Sequence, residues 1–397
     1  MKRFTMKRLF HLSAAVASAL LVACNSGTTR NDSAQTDTAT LQNKLQANID
    51  TSAGPANVSQ PFIKLPKGYN TPDGLAITGD NSVILSVPNF NNEYLLKQGL
   101  IESPDAPFMA IIGTDDKIAH WYDFKPQDMH PETGHVGPMD SAIGPDGNLY
   151  LADMQVFYNK DHKSRILRIN IVNGKAVSTD VVVEGFIASN GIYWQGDHLF
   201  VTESVLQAGN KSLVSGVYAF ALKEMQAKSP VHLKPYQNGR GDDHLVVTFQ
   251  SDNHMGFGAD GITFDDKGYM YTTVIEKGQI FRSKLDSRNK AVETTLFAQD
   301  KHMKGPDGLI FSSEKNTFYV ADFLNNAVHA ISRNGKVTPL QMNGDTDGAD
   351  GKLDQPAEVL MRGHELLIVN MDMAWATPKL SVNTKVDTAY NLSKINL

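Results

Sequence analysis

The chain holds one cysteine and three tryptophans in 397 residues. With Cys24 alone, no disulfide can form within the chain and no thiolate cluster can hold a soft metal. No apolar stretch reaches the roughly 18 residues that a bilayer crossing needs. Basic residues are outnumbered 37 to 43 by acids, for a formal net charge of −6. Four of the bases, Lys2, Arg3, Lys7 and Arg8, fall in the first 23 residues, so the remainder stands at −10. A body of that sign has no attraction to a phosphate backbone, which excludes nucleic acid as a partner. Also missing are HExxH, G-x-S-x-G and the phosphate-cradling G-x-x-x-x-G-K-[ST]. Hydrophobic content of 41% with 20% charged residues is that of a soluble globular protein.

The front of the chain reads as a targeting signal, a basic start followed by the apolar run Leu12 to Ala23. It ends in Leu21-Val22-Ala23-Cys24, which resembles the lipobox of bacterial lipoproteins. That resemblance implies cleavage before Cys24 and acylation of its sulfur and its new amino group. Several acyl chains together give stable anchoring. Asn25 follows where inner-membrane retention would favour Asp, so the expected location is the outer membrane, facing the periplasm. Residues 24–59 are rich in Ser, Thr, Asn, Gln, Asp and Ala and are expected to form a flexible tether.

From residue 60 onward one unit recurs. Gly258-Ala259-Asp260-Gly261-Ile262-Thr263-Phe264 leads through a Gly-containing hairpin to a second apolar strand at Tyr269-Met270-Tyr271. Asp73-Gly74, Asn190-Gly191 and Asp307-Gly308 open similar units, and weaker copies follow Pro138 and Pro356. Counting back four residues from the last apolar residue of each first strand gives six equivalent positions: Asp73, Met139, Asn190, Asp260, Asp307 and Ala357. Their spacing averages about 57 residues, a period that marks propeller blades rather than a helical solenoid. The expected fold is therefore all-β, a six-bladed β-propeller of four-stranded antiparallel blades around a central tunnel, spanning residues 60–397. Phe62 to Leu65 is expected to close the ring by joining the last blade.

In such a ring the first strand of each blade lines the tunnel and the second returns antiparallel to it. The start of the first and the end of the second share a rim. Asp73, Asn190, Asp260 and Asp307, read as turn residues, then converge at one mouth. Asn89, Asp153, Glu203, Asp322 and Asn370 are expected at the same rim, with His135, His254 and His302 in the loops above. Carboxylates aimed at one axis repel unless a positive charge sits between them. All-oxygen donors suit a hard cation with six to eight ligands, which favours calcium over zinc.

The pattern over residues 60–397 resembles the SMP-30/gluconolactonase/luciferin-regenerating-enzyme family of six-bladed propellers. The resemblance rests on Thr71-Pro72-Asp73-Gly74, Ser189-Asn190-Gly191-Ile192 and Gly258-Ala259-Asp260-Gly261. It implies a catalytic divalent cation, commonly calcium, held by Glu of the first blade, Asn of the second and third, and Asp of the fourth. Asp73 takes the place of the Glu, Asn190 matches the third-blade amide, and Asp260 matches the Asp. Met139 stands at the second-blade position, so Asp140 beside it or Asp307 substitutes. The implied activity is hydrolysis of a small-molecule lactone or ester, with a rim carboxylate (Asp260 or Asp307) or His254 as general base. The alternative is a non-catalytic propeller lipoprotein that binds a ligand or an envelope partner through the same rim.

Overall fold

The computed structural model describes residues 59–374, 380–388 and 390–397. The leader, Cys24 and the tether lie outside these residues. Among the described residues the structure is almost entirely β, in six separate sheets. From tunnel to rim, blade 1 runs Leu75–Ile77, Val83–Val87, Phe108–Ile112 and Ile118–Asp123. Blade 2 runs Pro138–Ile143, Leu149–Asp153, Ser164–Val172 and Lys175–Phe186, with Val231–His232 added in parallel at its edge. Blade 3 holds Ser189–Gln195, His198–Ala208, Leu213–Ala221 and Leu245–Ser251. Blade 4 holds Ala259–Phe264, Met270–Val274, Gln279–Leu285 and Ala291–Gln299, and blade 5 Pro306–Ser312, Thr317–Asp322, Ala327–Ser332 and Val337–Met342. Blade 6 is built from Pro356–Arg362, Glu365–Asn370 and Asn391–Asn396, and Gln60–Lys64 completes it. The expected closure is thus observed: Ile63 pairs with Leu392 and Lys64 with Asn391. Inner strands touch in cyclic order, and that of blade 6 meets that of blade 1.

Blades stack face to face, which explains why their second strands read as unbroken apolar runs. Val83–Val87 is buried at every position. Ile84 faces Leu149 and Leu151 of blade 2, while Leu85 and Val87 face Leu367 and Val369 of blade 6. Successive side chains of a strand point to opposite sides, so a strand with neighbours on both faces needs apolar residues throughout. Each such Val, Leu or Ile contributes about 1.5–3 kcal/mol by burial. Among the described residues the longest α-helix is Asn92–Lys97, and no helix is long and apolar enough to cross a membrane.

The polar residues at the ends of the second strands do not gather in the tunnel mouth as expected. They latch the loop that enters the first strand. Asp153 accepts from the Gly137 amide at 2.7 Å, Glu203 from Ile187 and Ala188, and Asp322 from Lys304 and Gly305. Asn89 accepts from the Asn70 amide and Asn370 from Asp354. Blade 4 uses Glu276, two residues beyond its strand, to take the Met255 and Gly256 amides. These loop amides are withdrawn from water and have no strand partner, so each needs an acceptor from the adjacent strand.

Candidate metal centre and apolar pocket

In five blades, 2 to 6, the inner strand carries a β-bulge near its start, that of blade 6 between Pro356 and Glu358. In blade 4, Ala259 pairs with Val274 and the next pair is Ile262 with Thr272, so Asp260 and Gly261 together oppose Thr273. The same extra residue occurs between Ser189 and Ile192, between Pro306 and Leu309, and between Pro138 and Ser141. A bulge bends the strand and re-aims one side chain. Asn190, Asp260 and Asp307 are therefore strand residues, not the turn residues that an Asp-Gly or Asn-Gly pair suggests. The glycines serve close approach between blades. A Cβ on Gly191 would lie 2.4 Å from the carbonyl oxygen of Asp260, and one on Gly261 would lie 2.3 Å from that of Asp307.

Six oxygen-bearing side chains enter the tunnel, one per blade, in two tiers. Asp73, Asn190, Asp260 and Asp307 form the floor of a cavity of about 410 Å³. Its walls are Met139, Met154, Phe157, Met255, Phe257, Ile275, Phe323, Met371 and Met373. Asp140 and Glu358 lie one residue further along their strands and line a second cavity of about 830 Å³ toward the opposite mouth. Met139 holds the upper-tier position of blade 2, so Asp140 does not stand level with Asp73, Asn190, Asp260 and Asp307. Glu358 was not anticipated. Its signal was present, an acid one residue after the repeat position, as Asp140 follows Met139.

Among the described residues that line these two cavities there is no Lys, Arg or His. The electrostatics follow from that. Burial pushes Asp260 up to about 6, while a hydrogen bond from Asp307 holds it down. Asp307 is driven well above the usual carboxylate range by burial and by the Asp260 charge. Without a cation the two acids therefore resist being ionised together. Burial raises Asp73 well above its ordinary value, with Asp140 and Asp260 adding repulsion. Asp140 is pushed up to about 7 by burial, against hydrogen bonds from the Ile192 and Ser141 amides. Glu358 is raised by burial and by Asp140. Asn190 donates from Nδ2 to Asp260 Oδ1 at 2.7 Å.

Among the described residues, no three His, Cys, Asp or Glu side chains stand close enough to form a ready-made metal cage. The donor set nonetheless fits a hard cation. Asp73, Asn190, Asp260 and Asp307 are all oxygen donors in one cavity, and no positive side chain among the described residues that line it balances them. His254 is elsewhere. Its side chain is 67% exposed, lies 3.6 Å from Asp252, and faces a separate groove formed with Lys211 and Glu276. The Asn253-His254 segment runs over the surface beside blade 3, which turns the imidazole away although Met255 next to it reaches the pocket. His135 stacks on Tyr158 with ring centroids 4.0 Å apart, and His302 uses its backbone carbonyl to accept from Asn325.

Residues 110–295, from the third strand of blade 1 to the outer strand of blade 4, match the model of the SMP-30/Gluconolactonase/LRE-like region. No curated protein matches the chain. Among solved structures, a luciferin-regenerating enzyme superposes with a TM-score of 0.54 at 12% identity, over 86% of this chain and 95% of that one. A putative gluconolactonase gives 0.51 at 10% identity, over 85% and 92%. A putative oxidoreductase (glucose dehydrogenase) from Thermus thermophilus gives 0.51 at 11%, over 85% and 99%. At such identities these likenesses establish the fold alone. The chain is thus a six-bladed propeller whose residues 110–295 are similar to the SMP-30/gluconolactonase/LRE-like region.

Proposed function

We propose that the protein is a divalent-cation-dependent hydrolase of esters or lactones, acting at the upper tier of the tunnel. The observation that carries this reading is the meeting of Asp73, Asn190, Asp260 and Asp307 beneath an apolar-walled pocket without a balancing cation. Those four residues would hold the ion, calcium being the best match to their hard oxygen donors. When bound it supplies Lewis-acid polarisation of a carbonyl and a lowered pKa for water.

The chain's own residues supply the rest. The methionine and phenylalanine walls exclude water and accept an apolar acyl or aryl group. Asp260 and Asp307 lie side by side on the floor, so a carboxylate oxygen of either one not taken by the ion is placed to accept a proton from an attacking water. His254, outside the pocket, is not given that role. A screen of aryl esters and lactones with calcium and with chelator tests the reading. Asp260→Asn keeps the Asn190 contact and should lower turnover at least about 100-fold. Full activity in that variant or in chelator refutes it.

A second reading, a binding propeller without catalysis, is favoured by Met139, whose thioether is a poor ligand for a hard cation. Saturable binding of an apolar ester with no hydrolysis would support it. In either case we place the propeller at the bacterial envelope, held by lipid on Cys24.

A further inference from the structure

A second group of carboxylates lies away from the tunnel floor, where two loops of the ring closure meet. The first loop joins Val337–Met342 to Pro356–Arg362 and reads Asp345-Thr346-Asp347-Gly348-Ala349-Asp350-Gly351-Lys352-Leu353-Asp354. The second leaves Glu365–Asn370 and carries Asp372, Asn383 and Asp387. They are knitted together at several points. The Asp372 amide donates to the Asp354 carbonyl at 3.3 Å, and the Asp387 amide donates to Asp372 Oδ2 at 2.7 Å. Asn383 donates to Asp354 Oδ1 and accepts from the Thr346 amide. Thr384 donates from its hydroxyl to Asp345 Oδ2 at 2.9 Å. Asp347 and Asp387 line one groove.

Asp354 and Asp372 are 2% and 1% exposed. Asp372 Oδ1 is buried with no hydrogen-bond partner, although its carboxylate faces Asp354, Asp387 and Asp345. A buried carboxyl oxygen without a partner is costly, and ionising it beside other carboxylates is more so. Among the described residues, the positive side chain that acts on Asp387 is Lys385, which is exposed. Burial and mutual repulsion raise Asp354 to about 8 and Asp372 to about 9.

We propose that this cluster is a calcium-binding clasp, in which a hard divalent cation is taken by Asp372 Oδ1 and Asp354 with Asp387, Asp345 and Asp347. Alternating carboxylates separated by small residues are the usual supply of oxygen ligands for calcium, whose coordination is flexible in number and angle. No three of these carboxylates already stand close enough to cage an ion, and in this proposal a bound cation draws them together. The clasp has a consequence for the pocket. Asp372 lies between Met371 and Met373, both of which are pocket walls, and its carbonyl accepts from Asn91 Nδ2 at 2.7 Å. An ion on Asp372 therefore fixes the backbone that presents two of the pocket's thioethers. This inference does not rest on the hydrolase reading.

The test is calorimetric titration of calcium chloride into chelator-treated protein, comparing wild type with Asp372→Asn, Asp347→Asn and Asp260→Asn. We expect a calcium site that survives Asp260→Asn, is lost in Asp372→Asn and is weakened at least about 10-fold in Asp347→Asn. Asp347 lies on the outer loop, so that variant reports on the clasp even where Asp372→Asn does not fold. Failure of the tunnel site alone would leave calcium bound in a manner sensitive to Asp372→Asn but not to Asp260→Asn. Calcium binding absent from wild type, or of the same stoichiometry and affinity in both clasp variants, overturns the proposal.

Discussion

Five carboxylates in a tunnel, two of them buried and three half-buried, with no cationic side chain among the described residues that line it, make the stability of this protein fall as pH rises, and Asp140 shows the effect. Its folded pKa of about 7 lies above the ordinary carboxylate value of 3.8, chiefly because burial disfavours the charge. The unfolded state releases this proton first, so stability is undiminished below about pH 4. It declines through the interval up to about 7 and stays reduced above that. About three units of difference correspond to roughly 4 kcal/mol. A propeller of this size has an unfolding entropy of about 0.7 kcal/mol per degree, so the penalty is roughly 5–6 °C in Tm. Asp140→Asn removes the ionisation and retains one acceptor for the Ile192 or Ser141 amide. In chelator, wild type and variant should melt within about 1–2 °C of each other at pH 4, and the variant should be higher by roughly 5 °C at pH 8. Parallel melting curves across that range would refute the claim that Asp140 carries an uncompensated buried charge.

Three further outcomes follow from individual contacts. Gly261→Ala places a methyl group 2.3 Å from the Asp307 carbonyl and 2.9 Å from the Leu309 amide nitrogen, both backbone, so blade 5 must retreat. Denaturant titration should show a loss of about 1–3 kcal/mol, whereas Gly147→Ala, with open space around it, carries only the cost of a positive φ. Asp322→Ala orphans the Lys304, Gly305 and Asn325 amides and leaves buried His329 without its 3.0 Å partner. A loss of roughly 3–5 kcal/mol or more is expected in the same assay. Cys24→Ser should abolish incorporation of labelled palmitate and release the protein from the membrane fraction. Continued labelling of that variant would remove the lipoprotein assignment.

Much of the architecture is readable from the chain because the repeat reports physics that every blade must obey. Each blade needs an inner strand, an apolar second strand buried on both faces, and two outer strands. The spacing of Asp73, Asn190, Asp260 and Asp307 therefore locates the tunnel, and Phe62 to Leu65 reads correctly as the closing strand. The readings that fail do so where two physical causes leave the same sequence trace. Asp-Gly marks a tight turn in most settings, yet here the glycine clears the next blade and the Asp sits on a bulge, which only the inter-blade distance reveals. Asp153, Glu203 and Asp322 look like further site acids, and which are consumed by loop amides depends on partners far away in sequence. His254 has the right position in the repeat, but the direction of a loop side chain leaves no periodic trace. What remains unspent after that accounting is telling. Acids at the ends of the second strands are answered by backbone amides, whereas Asp73, Asp260, Asp307 and Glu358 are left facing one another within the tunnel. A fold that satisfies the loop amides of all six blades with one latch each, and still concentrates carboxylates on its axis with no positive partner among the described residues, requires protons or a cation there. The response of the tunnel to pH and to calcium is thus the property by which its function can be read.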